Sequence, residues 1–153
     1  MKTRSVALEP GAKHEVDARF CRGVMLADGI FLGVTGTLQV TFELVGYYTG
    51  RGPLGHVFDG SYYTIGWVEN HSWALLVGVL FLMVAWKDAR RFWHGFALAV
   101  HVMLAAANLT FWSSFGHFDV VPLGVAATAV HLVFIAAQFR CFTSKRWAQQ
   151  PSR

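Results

Sequence analysis

The run WVENHSWALLVGVLFLMVAW, from Trp67 to Trp86, decides how the rest of the chain is read. From Trp73 onward it carries no charge, and its apolar residues are not confined to one face. Twenty residues rising 1.5 Å each make a helix of about 30 Å, the thickness of a bilayer's hydrocarbon layer. A helix that is apolar all round sits in lipid or in the middle of a very large core. Three other stretches have the same character: Gly23 to Tyr48, Trp93 to Phe115 and His117 to Phe139. None alternates with period two, so a small β-barrel is disfavoured. The expected fold is all-α: an integral membrane bundle of four antiparallel helices at 23–48, 67–86, 93–115 and 117–139. An outer loop covers 49–66, a cytoplasmic segment 1–22 and a cytoplasmic tail 140–153.

Composition agrees. Of 153 residues, 54% are hydrophobic and 14% charged, where soluble domains carry about 25% charged residues. That excludes a disordered chain, and no span has a polar face wide enough for a water-soluble bundle. Twelve of the thirteen Lys and Arg lie before the first span, between the second and third, or after the fourth; Arg51 alone lies elsewhere. The positive-inside rule then puts both termini in the cytoplasm and the protein in the plasma membrane. The formal charge of +4 belongs to these juxtamembrane groups. It points to anionic lipid headgroups as partners, not to nucleic acid. Tyr47, Tyr48, Tyr62, Tyr63, Trp67 and Trp112 are expected as anchors at the outer interface, with Trp86, Trp93 and Trp147 at the inner one. Cys21 and Cys141 fall at the cytoplasmic ends, where thiols stay reduced, so no disulfide is expected.

Turn chemistry sets the order of neighbours. The connection Lys87–Arg91 is short, which makes the second and third spans antiparallel neighbours. Gly116 is suited to a left-handed C-cap for the third span, and Pro122 to the first turn of the fourth. The loop from Thr49 to Gly66 is long and aromatic. It is read as lying among lipid headgroups, with sheltering of a site as the alternative.

Ionisable groups at membrane depth are costly, and they face a bundle interior or a functional site. On the first span Asp28, Thr35, Gln39 and Glu43 fall on one stripe, beside a Gly29/Gly33 pair that admits a close neighbour. On the third, His94, His101 and Asn108 recur every seven residues. On the fourth, Gly124, Ala127, Thr128, His131 and Gln138 share a face. His101 and His131 stand at one depth on facing helices, which makes them candidate axial ligands for haem b, with Gly78, Gly124 and Ala127 leaving room for the macrocycle. Glu43, Glu69 and His71 form a candidate outer metal set. Asp28, Gln39, Glu43 and Asn108, with the imidazoles, could line a ligand or proton pathway.

No nucleophile–base pair, P-loop, dinucleotide fingerprint or CxxC is present, so the sequence leans away from an enzyme. The leading expectation is a binding or accessory membrane subunit with a polar-lined interior. The alternatives are a haem electron carrier centred on His101 and His131, and a proton- or cation-coupled transporter or channel. The last would need a homodimer or a partner in a membrane complex, because four spans are few. The Gly29/Gly33 face is a candidate contact for such a dimer, but packing within the bundle is preferred.

Overall fold

A computed structural model describes residues 10–87 and 89–144, with side chains from residue 15 onward. Lys2, Arg4, the Lys13 side chain, Asp88, Lys145, Arg146, Trp147 and Arg153 lie outside the described residues. Among the described residues six helices follow in order: α1 Pro10–Thr49, α2 Gly55–Phe58, α3 Thr64–Lys87, α4 Arg91–Thr110, α5 Trp112–His117 and α6 Val121–Phe142. Among the described residues there is no strand.

Four of these helices, α1, α3, α4 and α6, are long and apolar enough to cross a membrane. At most 28% of the most apolar stretch of each is buried inside the protein. Val34, Leu76, Met103 and Val133 are among the large apolar side chains that face outward. A globule in water would hide such groups, whereas lipid accepts them. Length and composition together mark a multi-pass membrane protein.

Two boundaries differ from the sequence reading. α1 already covers Pro10, well before Gly23, so the helix reaches beyond the apolar stretch. The third span stops at Thr110 rather than Phe115, and residues 112–117 form the separate short α5. Gly116 does not make the left-handed turn. Asp119 does, with φ 56°, since a short polar side chain tolerates that region. Pro122 does lie in the first turn of α6.

The helices associate as two antiparallel pairs. In the first, α1 lies on α3 with Gly29 against Gly78 and Leu82, and Gly36 against Leu75 and His71. A Cβ on Gly78 would fall 2.9 Å from the Gly29 carbonyl oxygen and closer still to the Gly33 nitrogen. These glycines let two backbones touch within the chain. In the second pair α4 lies on α6, with Asn108, His101 and His94 opposite Thr128, His131 and Gln138. α1 also meets α6, which joins the pairs. Despite their short connection, α3 and α4 keep their backbones apart. They meet through side chains, with the Phe81 and Phe96 rings 6.1 Å apart, in an apolar cluster that includes Met25, Leu32, Phe81, Val84, Ala85 and Ala97.

The loop end is closed by α2. Phe58 is buried against Gly46, and the Thr64 hydroxyl donates to the Phe58 carbonyl at 3.1 Å. Tyr62 and Tyr63 remain almost fully exposed. The loop therefore packs on the end of the bundle while its aromatic tip stays outside.

Candidate functional site

Seven-residue steps bring a set of polar groups onto the facing sides of three helices. α1 supplies Cys21 and Asp28, α4 supplies His94 and His101, and α6 supplies His131 and Gln138, with Cys141 one turn further. A step of seven returns to nearly the same helix face. All seven residues are buried.

Hydrogen bonds link five of them into one run. His101 Nε2 lies 2.8 Å from Asp28 Oδ1, and Gln138 Nε2 donates to Asp28 Oδ2 at 2.6 Å. Gln138 Oε1 stands 2.6 Å from His94 Nδ1, and His101 Nδ1 lies 2.9 Å from His131 Nδ1. An ionised carboxylate only accepts, so it fixes the two bonds it receives and, through the amide, the orientation of Gln138. His101 Nε2–H and the Gln138 amide N–H both donate to Asp28. The amide oxygen of Gln138 then accepts from His94 Nδ1–H, and with His101 neutral its Nδ1 accepts from His131 Nδ1–H.

In this arrangement His101 and His131 face each other directly rather than across an iron. Their Nδ1 atoms touch through one hydrogen bond, so no iron and no macrocycle plane fits between them. The space around them is filled as well. Phe134 stacks on His101 with ring centroids 4.8 Å apart, and Phe31 meets the edge of His131. Gly78 is occupied by α1 and Gly124 by the Phe115 ring.

Beside this run, Cys21 and Cys141 are joined by a disulfide with their Cα atoms 5.5 Å apart, which overturns the expectation of two separate thiols. That expectation rested on compartment alone. It passed over the fact that Cys21 shares its face with Asp28, and Cys141 its face with Gln138. A ring nitrogen of His94 and both sulfur atoms lie within 4.8 Å of one another.

At the loop end a smaller group forms. His71 Nδ1 is paired with Glu43 Oε1, and Trp67 lies against the His71 ring with centroids 6.0 Å apart. Glu43 is buried, and its Oε2 has no hydrogen-bond partner. Glu69 does not join them. It is exposed on α3, because two residues along a helix point to different sides. The expected three-residue metal set thus reduces to a pair. Asn108 is half-buried and donates to the Thr128 hydroxyl at 3.3 Å, and Gln39 is half-buried between the two groups on α1.

The stripe from Asp28 through Gln39 to Glu43 is not one continuous path. Fifteen residues of α1 separate Asp28 from Glu43, about 22 Å of helix rise. Within that interval Gly29, Gly33 and Gly36 lie directly on α3, and the Thr35 hydroxyl bonds its own helix at the Phe31 carbonyl. The polar interior is two clusters.

No protein family, no curated protein and no solved structure matches this chain. The chemistry of the site rests on its own geometry. Sequence reading singled out Asp28, His101 and His131 as site residues and placed His94 and Gln138 on the same inward faces, but gave Cys21 and Cys141 no part in a site. The signal for the cysteines was their spacing, Cys21 seven residues before Asp28 and Cys141 three after Gln138, which keeps each on its helix's inward face.

Proposed function

We propose that this chain is a multi-pass membrane protein acting as a binding or accessory subunit, with its binding machinery where α1, α4 and α6 converge. One observation carries the reading: Asp28 is fully buried, with both oxygens held by side chains from two other helices. Helix association needs far less. Interhelical hydrogen bonds in membranes contribute about 0.6 kcal/mol each on average, and buried charge is often replaceable by apolar packing without loss. Five linked polar side chains in one buried run therefore fit a site better than a packing device. The distance between the two polar clusters weighs against a solitary proton or cation transporter.

In this reading the basic residues Arg19, Arg22, Lys87, Arg90, Arg91 and Arg140 sit at the cytoplasmic face of the plasma membrane, and Arg51 on the opposite face. Single-cysteine labelling in intact cells checks this orientation: position 51 reacts with an impermeant maleimide and position 87 only after lysis.

The function is tested by native mass spectrometry with optical and elemental analysis of gently solubilised protein. A small ligand, ion or companion subunit should travel with the wild-type chain and be lost from a folded Gln138→Leu protein. A bare polypeptide in both samples contradicts the proposal.

A further inference from the structure

The cysteine pair sits where three helices meet, and its third neighbour is an imidazole whose orientation is set from behind. Asp28 can only accept, so it turns the NH₂ of Gln138 toward itself and the amide oxygen toward His94. That oxygen holds the proton of His94 on Nδ1 and leaves Nε2 as the coordinating nitrogen. A histidine that ligates a metal almost always donates its other N–H to such an acceptor. The carboxylate–amide–imidazole order has the arrangement found in the outer shell of metal centres.

We propose that in its dithiol state the protein binds one thiophilic d10 cation, Zn²⁺ or Cu⁺, through the sulfur atoms of Cys21 and Cys141 and a ring nitrogen of His94. This rests on the binding reading above and names its ligand. The three donor atoms already lie within 4.8 Å of one another. Two sulfurs on one tetrahedral ion stand roughly 3.8 Å apart for a metal–sulfur bond of about 2.3 Å. Reduction lets the two bonded sulfurs separate to that distance, and the His94 nitrogen, within 4.8 Å of both, has to approach by roughly 1 Å. Thiolate and imidazole select soft or borderline ions and reject Mg²⁺ and Ca²⁺, which take oxygen ligands. Two thiolates and the Asp28 carboxylate concentrate negative charge in a buried site, and a cation relieves it. Three donors complete a trigonal Cu⁺ site, whereas Zn²⁺ takes a fourth ligand such as water.

The disulfide is the metal-free, oxidised form of the same site. A dithiol reductant gives up two electrons and two protons and closes its own disulfide, while the Cys21–Cys141 bond opens to two thiols. Metal binding then releases the two thiol protons and forms two metal–sulfur bonds.

The test uses the full chain in detergent, reduced with a phosphine, which becomes a phosphine oxide with oxygen taken from water. The protein is desalted under argon and offered Zn²⁺ alone or Cu⁺ alone. Native mass spectrometry should show one ion per reduced chain, none on the oxidised chain, and protection of both thiols from alkylation. Co²⁺ in place of Zn²⁺ should give a sulfur-to-metal absorption band that is absent from Cys21→Ser and Cys141→Ser proteins. Gln138→Leu should weaken binding about tenfold to a hundredfold, as loss of an outer-shell partner does, with helicity unchanged. A folded, reduced wild-type chain that takes up neither ion overturns the proposal without recourse to any variant. So does uptake that is equal in oxidised and reduced protein. If some other molecule copurifies with that metal-free chain and is lost in Gln138→Leu, the binding reading stands and the metal proposal falls. If nothing copurifies, both fall.

Discussion

Asp28 shows how one side chain directs its neighbours. As a carboxylate it accepts twice, from His101 and from Gln138. An asparagine at the same place accepts once and donates once. The run can absorb that change on one side: His101 Nε2 becomes the acceptor, and His101 Nδ1–H then donates to His131 Nδ1. Asp28→Asn should therefore fold with only a modest loss of stability. Asp28→Leu leaves the donors of His101 and Gln138 buried without their acceptor, and should cost about 3–5 kcal/mol. Reversible unfolding in mixed detergent measures both. Equal losses in the two proteins would contradict the assigned directions. Spacing made Asp28 and His101 legible as inward-facing residues, because a charge at membrane depth stands out. The cysteines were read for compartment rather than for position, so their place beside the same cluster was missed.

At the scale of the element, the contact between α1 and α3 rests on glycines that do different jobs. The Gly29/Gly33 spacing was visible in the sequence, but its partner helix was not, because a small-residue pair does not say what lies across from it. The surface opposite is Gly78, whose Cβ would meet the backbone of α1. Gly33 itself has nothing within 4 Å of a Cβ and serves through its backbone alone. Gly78→Ala should therefore destabilise the bundle by about 1–3 kcal/mol, as overpacking does. Gly33→Ala should be neutral or stabilising by up to about 1 kcal/mol, through the entropy of the unfolded chain. Thermal denaturation of the two purified proteins decides between this asymmetry and a seam in which both glycines matter equally. The break at Phe111 was not legible for a related reason: residues 111–115 are apolar enough to continue a span, and only the tertiary course of the chain separates α5 from α4.

For the whole molecule, the four long helices were readable because lipid imposes length and apolar content directly on the sequence. Which helices touch was harder. The short Lys87–Arg91 connection pointed to close packing of α3 on α4, yet the backbones that approach most are α1 with α3 and α4 with α6. Loop length limits how far apart two helices lie, but small and polar faces decide which of them join. The convergence of α1, α4 and α6 on one hydrogen-bonded run is the claim from which the site and its proposed use follow. Nitrogen-15 spectroscopy of histidine-labelled protein in lipid nanodiscs tests it most directly. His94, His101 and His131 should each hold a single tautomer, slow to exchange with water, and a coupling across the hydrogen bond should join His101 Nδ1 to His131 Nδ1. Imidazoles that average between tautomers, exchange freely with water and show no such coupling would contradict the account.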